Sequence, residues 1–182
     1  MLAKSYHAVG IQEILTEVEV PKGSFYHYFE SKEAFGVAII DYYAERLAGI
    51  MRTRLSDVQY SPRERIRQHF ILIRDYYGKN GCERGCLIAK LATEVAAHST
   101  SMRDALKHGF DQWTMLFSAC IKEGQANGEI SSLQDADFLA EFLLTSWEGA
   151  LMRMQANQEL SPLHKFIDIA LDLILPPAAK KE

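Results

Sequence analysis

Val20-Pro21-Lys22-Gly23-Ser24-Phe25-Tyr26-His27-Tyr28-Phe29, followed at once by Glu30-Ser31-Lys32-Glu33-Ala34-Phe35, is the segment from which the rest of the chain can be laid out. Just upstream, Val9, Ile11, Ile14 and Leu15 recur at spacings that let a short amphipathic helix bury one side. Pro21 suits the first turn of a second helix, where its missing N–H would be unpaired anyway, and it disfavours helical geometry at Val20. One helix therefore stops and another begins: a helix-turn-helix, read from the punctuation alone.

In the second helix Phe25 and Phe29 share an inward face, which turns Lys22, Ser24, Tyr26, His27 and Tyr28 in other directions. Lys22 suits a phosphate as a point charge. The N–H groups around Gly23 and Ser24 add the anion affinity of a helix start, and Tyr26 and His27 can donate to phosphate oxygens. Gly23 removes a side chain where a backbone would approach closely. The same residue types also fit a half-buried aromatic cluster without a ligand.

This order and spacing resembles the DNA-binding domain of the TetR family of bacterial transcriptional repressors, densely from Gly10 to about Ile40. The resemblance implies an all-α chain with an N-terminal helix-turn-helix domain and a C-terminal helical ligand-binding and dimerisation domain. It also implies that Lys22, Gly23, Ser24, Tyr26 and His27 lie on a recognition helix and that Lys32 contacts phosphate from the start of the next one. Ser31 is suited by its own chemistry to cap that next helix. TetR-like domains carry a complete helix before the motif, whereas Met1 to Ala8 alone precede Val9, so most of that first helix is expected to be missing.

With 182 residues, 48% hydrophobic and 24% charged, the chain has room for a compact helical domain and a small appended one. It holds no apolar run of about 18 residues and no charged-then-apolar start, so no membrane partner and a cytoplasmic location are expected. Cys82, Cys86 and Cys120 cannot all pair within one chain, which argues against a secreted disulfide framework. The net charge of −4 does not favour a nucleic-acid binder, and residues 1–54 carry slightly more acids than cations. The case for DNA rests on the local placement of Lys22, Lys32 and helix termini.

From Ser31 the pattern stays helical to Met51, so residues 1–54 read as the helix-turn-helix domain with a connecting helix. Ser61-Pro62-Arg63-Glu64 reads as a capping box with proline at the first helical position, and the helix it opens is expected to stop at Gly78. Further helices are expected over about 86–97, from Ser101 to Asn127-Gly128, over 135–157 and over 162–175. The last two have wide apolar stripes that suit packing on both a domain core and a second subunit, which places Phe142, Trp147, Phe166 and Leu173 at a dimer interface. A purely intrachain core is the other reading. Residues 55–177 are thus a helical regulatory and dimerisation domain, and 178–182 a solvated tail. Neither a strand pattern nor a Gly-rich phosphate loop, HExxH pair or GxSxG elbow is present, so no enzyme and no cofactor is expected.

The stretch Gly81-Cys82-Glu83-Arg84-Gly85-Cys86-Leu87, continuing to Val95, resembles within the same family the branch of NemR-like and AcuR-like repressors. In NemR-like proteins the cysteine matching Cys86 senses oxidants and electrophiles and a lysine approaches it. That lysine position falls at Gln155, leaving Lys90 and Arg153 as cationic candidates. Independently, Cys86 follows Gly85 at the head of a helix, where the dipole and nearby Arg84 and Lys90 favour a thiolate, with Cys82 as a candidate resolving thiol. An inert core cysteine is the competing reading. A zinc site at Cys82, Cys86 and His98 is loosely spaced and lacks a fourth ligand, so no metal is expected.

Two function classes follow. One is a repressor that grips a palindromic operator in double-stranded DNA as a homodimer and is released by a small electrophile or other small-molecule effector. The other is a small-molecule binding protein or enzyme with a vestigial helix-turn-helix.

Overall fold

Capping and turn chemistry set the helix boundaries. The computed structural model describes residues 4–178. It contains α1 (Ile11–Glu17), α2 (Lys22–Tyr28), α3 (Lys32–Leu55), α4 (Pro62–Asn80), α5 (Leu87–Val95), α6 (Thr100–Ala126), α7 (Ala136–Asn157), α8 (Ser161–Lys165), a π-helical turn (Phe166–Ala170) and α9 (Leu171–Ile174). Strand-like pairing among the described residues is limited to an antiparallel bridge between Ile130 and Pro177. The fold is all-α, with an N-terminal helix-turn-helix and a C-terminal helical domain.

Two compact units are present: Met1–Arg46 with Cys86–Phe110, and Leu47–Gly85 with Asp111–Glu182. The division expected near residue 54 differs from this one, because α5 and the first part of α6 pack with the N-terminal helices.

In the first unit Val9, Leu15 and Phe25 form the buried seam of the helix-turn-helix. The Phe25 ring lies 5.3 Å from Phe29 and 5.2 Å from Phe35, a cluster of tilted and edge-on contacts of the kind aromatic quadrupoles favour. The turn closes when the Val20 amide donates to Leu15 O at 2.9 Å, with Glu19 at a φ of 55°. Ser31 Oγ accepts from the Ala34 amide at 3.0 Å, capping α3 as its chemistry suggested. α6 starts one residue ahead of the expected Ser101, because Ser99 Oγ takes the Met102 amide at 3.1 Å. A Cβ on Gly36 would lie 2.8 Å from Met102 Cε and 3.1 Å from Tyr6 Cε2, so α3 packs closely on these two side chains at that glycine.

The core of the second unit is aromatic. Phe70 stacks on Phe117 at 5.4 Å and meets Trp147 at 4.6 Å and Phe166 at 5.0 Å. The capping box expected at Ser61 is replaced by a longer-range arrangement. The Ser61 hydroxyl donates to Glu129, which also accepts the Arg63 amide at 3.2 Å, while Glu64 turns to Gln68 at 2.7 Å. α4 also runs past Gly78 to Asn80, ending at Gly81 with a φ of 87°. Gly78 lies inside the helix beside Leu160, whose Cδ1 would be 3.2 Å from a Cβ there. Asp135 caps α7 by accepting from the Asp137 and Phe138 amides at 2.9 and 3.0 Å. The final helix, expected to be regular, is interrupted by the π turn. Arg67 donates to Ile167 O within that turn at 2.7 Å and also pairs with Asp172, while Arg63 Nε donates to Leu175 O at 2.8 Å.

Candidate nucleic-acid interface and regulatory sites

Helix α2 presents a polar surface because its one apolar anchor is Phe25. Burying that ring leaves Lys22, Gly23, Ser24, Tyr26 and His27 all exposed on the remaining faces. A Cβ at Gly23 would meet nothing within 4 Å, so the surface there is open to an approaching backbone. Lys22 Nζ sits 6.0 Å from the centre of the Tyr26 ring. One expectation is corrected. The Ser24 amide, assigned to an anion, closes the first turn instead by donating to Pro21 O at 3.0 Å. The side chains, and not that amide, carry the polar chemistry of this face.

Lys32 is half-buried at the first position of α3. Its ammonium donates to Tyr6 O at 2.6 Å and lies 4.6 Å over the Tyr6 ring. An ammonium has three donors, so one such bond leaves capacity for a phosphate.

Cys86 is the N-cap residue of α5 and is only 7% exposed. The Lys90 ammonium, a candidate neighbour of that thiol, is engaged by Lys4 O at 3.1 Å and lies 3.9 Å from Glu94. Cys82 is half-buried. Gln155 donates to Glu83 O at 3.1 Å, and a Cβ on Gly85 would come within 2.8 Å of its Cδ. The residue at the lysine position of the resemblance therefore pins the backbone of 83–85. Cys120 is buried, its thiol donates to Pro62 O at 3.3 Å, and burial pushes its pKa up to about 12.

The four residues placed at a dimer interface separate into two pairs. Phe142 and Leu173 are 52% and 76% exposed. Phe142 stacks with exposed Phe138 at 6.3 Å, and these side chains line a groove of about 660 Å³ with Leu133, Ser146 and Pro176. Trp147 and Phe166 are corrected: both are buried in their own chain, 5.1 Å apart and packed on Phe70. Phe142 and Trp147 are five positions apart, which on a helix of 3.6 residues per turn points them about 140° apart.

Two residues that sequence reasoning passed over are fixed by burial. Arg65 is buried, donating to Asp57 O at 2.7 Å, Tyr60 O at 2.8 Å and Glu123 Oε2 at 2.8 Å. His69 is 5% exposed, its ring edges meet Phe70 and Phe117 at 5.4 and 5.5 Å, and its Nδ1 has no hydrogen-bond partner. Burial, with the Arg54 charge, pushes its pKa down to about 3. No spacing motif marks either residue. Among the described residues no group of His, Cys, Asp and Glu is arranged to hold a metal ion, and no helix is long and apolar enough to cross a membrane.

A helix-turn-helix whose second helix turns a polar face outward, joined to an all-helical second domain, defines a class of DNA-binding regulators. Residues 1–39 match the family of bacterial regulatory proteins, tetR family, and residues 62–170 match the tetracyclin repressor-like, C-terminal domain. The chain belongs to the TetR family of transcriptional regulators. It is similar to the HTH-type transcriptional repressor DhaR of Mycobacterium sp. strain GP1, 35% identical over 96% of this chain and 86% of that one. The transcriptional regulator AcuR of Cereibacter sphaeroides is 37% identical over 90% of this chain and 74% of its own. The crystal structure of E. coli NemR in its reduced form superposes with a TM-score of 0.88 at 29% identity, over 98% of this chain and 92% of that one.

Proposed function

We propose that this chain is a repressor that binds a palindromic operator as a homodimer, with α2 in the major groove, and is released by a small-molecule effector. The observation that carries the DNA-binding reading is the exposed face of Lys22, Ser24, Tyr26 and His27 on a helix anchored by Phe25. Lys22 and Lys32 hold phosphates, and two recognition helices read half-sites about 34 Å apart. The face of Phe138, Phe142 and Leu173 pairs with its copy in an isologous contact, as an exposed apolar groove of this kind favours. The protein is a regulator without catalytic activity, in keeping with relatives named as transcriptional regulators.

The effector is a small electrophile acting at Cys86, supported by the position of this thiol at the head of α5 and by the similarity to NemR. In addition to an unsaturated carbonyl, the sulfur lone pair forms the S–C bond, the alkene electrons move toward the carbonyl, and the carbon takes up the thiol proton. Added bulk at a residue that is 7% exposed displaces α5.

Anisotropy titration with a duplex that wild type selects from a random library tests this function. Lys22→Ala should weaken binding to all duplexes alike and lower the salt slope by about 1. An altered base preference would make Lys22 a base reader. Wild type should release the duplex on treatment with acrolein or a quinone and Cys86→Ser should not; release that persists in Cys86→Ser places the sensor elsewhere.

A further inference from the structure

Lys32 and Glu94 both sit where helix electrostatics disfavours them. Lys32 is at the positive N-terminal end of α3, and Glu94 is in the last turn of α5, at the negative end. The residue between them in space is Tyr6. Its amide donates to Glu94 Oε2 at 2.5 Å, and its carbonyl accepts from Lys32 at 2.6 Å, with the ammonium over its ring. These are charge-assisted contacts to a buried residue, and they offset the unfavourable dipole terms at both ends. The same tie is doubled by Lys90 donating to Lys4 O at 3.1 Å and His7 Nε2 donating to Glu94 O at 3.3 Å.

We infer that Glu94 is a positioning residue for DNA binding: through the Tyr6 backbone it holds the Lys32 ammonium in place for a phosphate, and it thereby links α5, headed by Cys86, to the DNA contact. The inference rests on the reading of Lys32 as a phosphate ligand. α5 is a single short helix, so Glu94 lies roughly 12 Å along its axis from Cys86, and a tilt begun at one end reaches the other. Losing the tether frees Tyr6 and leaves Lys32 to be ordered by DNA itself, which lowers affinity. Local preference is violated at both ends of one connection, and such violations concentrate where function requires them.

The test is the salt-dependent affinity of wild type, Glu94→Ala, Glu94→Gln, Lys32→Ala and the Glu94→Ala/Lys32→Ala double variant for the duplex selected by wild type. Removing a carboxylate from a DNA-binding unit should tighten binding if only bulk charge matters. The tether predicts the opposite: Glu94→Ala weakens binding about three- to tenfold, with Glu94→Gln in between, while the salt slope falls by about 1 only where Lys32 itself is removed. Adding Glu94→Ala to Lys32→Ala should change nothing further, a non-additivity that a general loss of fold would not produce. Circular dichroism confirms folding, and Glu94→Gln, which keeps an acceptor, carries the test if the alanine variant unfolds. Equal or tighter binding by both Glu94 variants, or a Glu94 effect undiminished beside Lys32→Ala, overturns the inference while leaving the DNA-binding reading intact. Wild type that binds no duplex overturns both.

Discussion

His69 shows how one residue sets a pH dependence. The folded protein keeps this imidazole neutral down to about pH 3, whereas the unfolded chain protonates it near 6.5. Between those values the unfolded state binds more protons, so stability is full above about pH 6.5 and falls as pH drops toward 3, by about 1.4 kcal/mol per unit from this group alone. His69→Leu should flatten that slope in urea unfolding followed from pH 7 to pH 4. An unchanged slope would assign the acid sensitivity to other groups. The cysteines separate on similar grounds. Cys120 is held protonated near neutral pH, so a maleimide should leave it unmodified in the folded protein and label it on unfolding, read by mass spectrometry.

At the scale of elements, capping was legible where it is local and hidden where it is not. Asp135 accepts two amides within its own turn, and Asp135→Ala should cost about 1 kcal/mol in chemical denaturation. Ser61 has the capping residue type and a proline after it, yet its hydroxyl goes to Glu129, a partner remote in sequence. Arg65 joins α4 to the carbonyls of Asp57 and Tyr60 and to Glu123. Arg65→Met should destabilise by about 1–3 kcal/mol, since it removes a buried guanidinium that bonds two backbone carbonyls and the half-exposed Glu123. A loss below about 0.5 kcal/mol would mean that water replaces those bonds.

For the whole molecule, the division between exposed and buried aromatics predicts distinct phenotypes. Phe142→Glu or Leu173→Glu should yield folded monomers in sedimentation, because both side chains are exposed in the single chain. Trp147→Ala should instead lower stability by about 3–5 kcal/mol, because that ring fills the core against Phe70 and Phe166. Dimers that persist with Glu at both Phe142 and Leu173 would move the interface to another face.

The residues alone determined the helix-turn-helix and the outward polar face of α2, since Pro21, the Phe25–Phe29 pair and the Ser31 cap act over a few positions. They also determined the family, because the motif is contiguous. They did not determine which apolar side chains of the last two helices face the core, because a wide stripe leaves the helix free to rotate. Phe166 and Leu173, seven positions apart, would share a face of a regular helix, but the π turn between them inserts one residue and swings Leu173 about 100° away from the core. The burial of Cys86 and His69 and the engagement of Lys32 by Tyr6 likewise depend on neighbours tens of residues away along the chain. Local periodicity specifies a direction from a helix axis; only the packed structure specifies what lies in that direction.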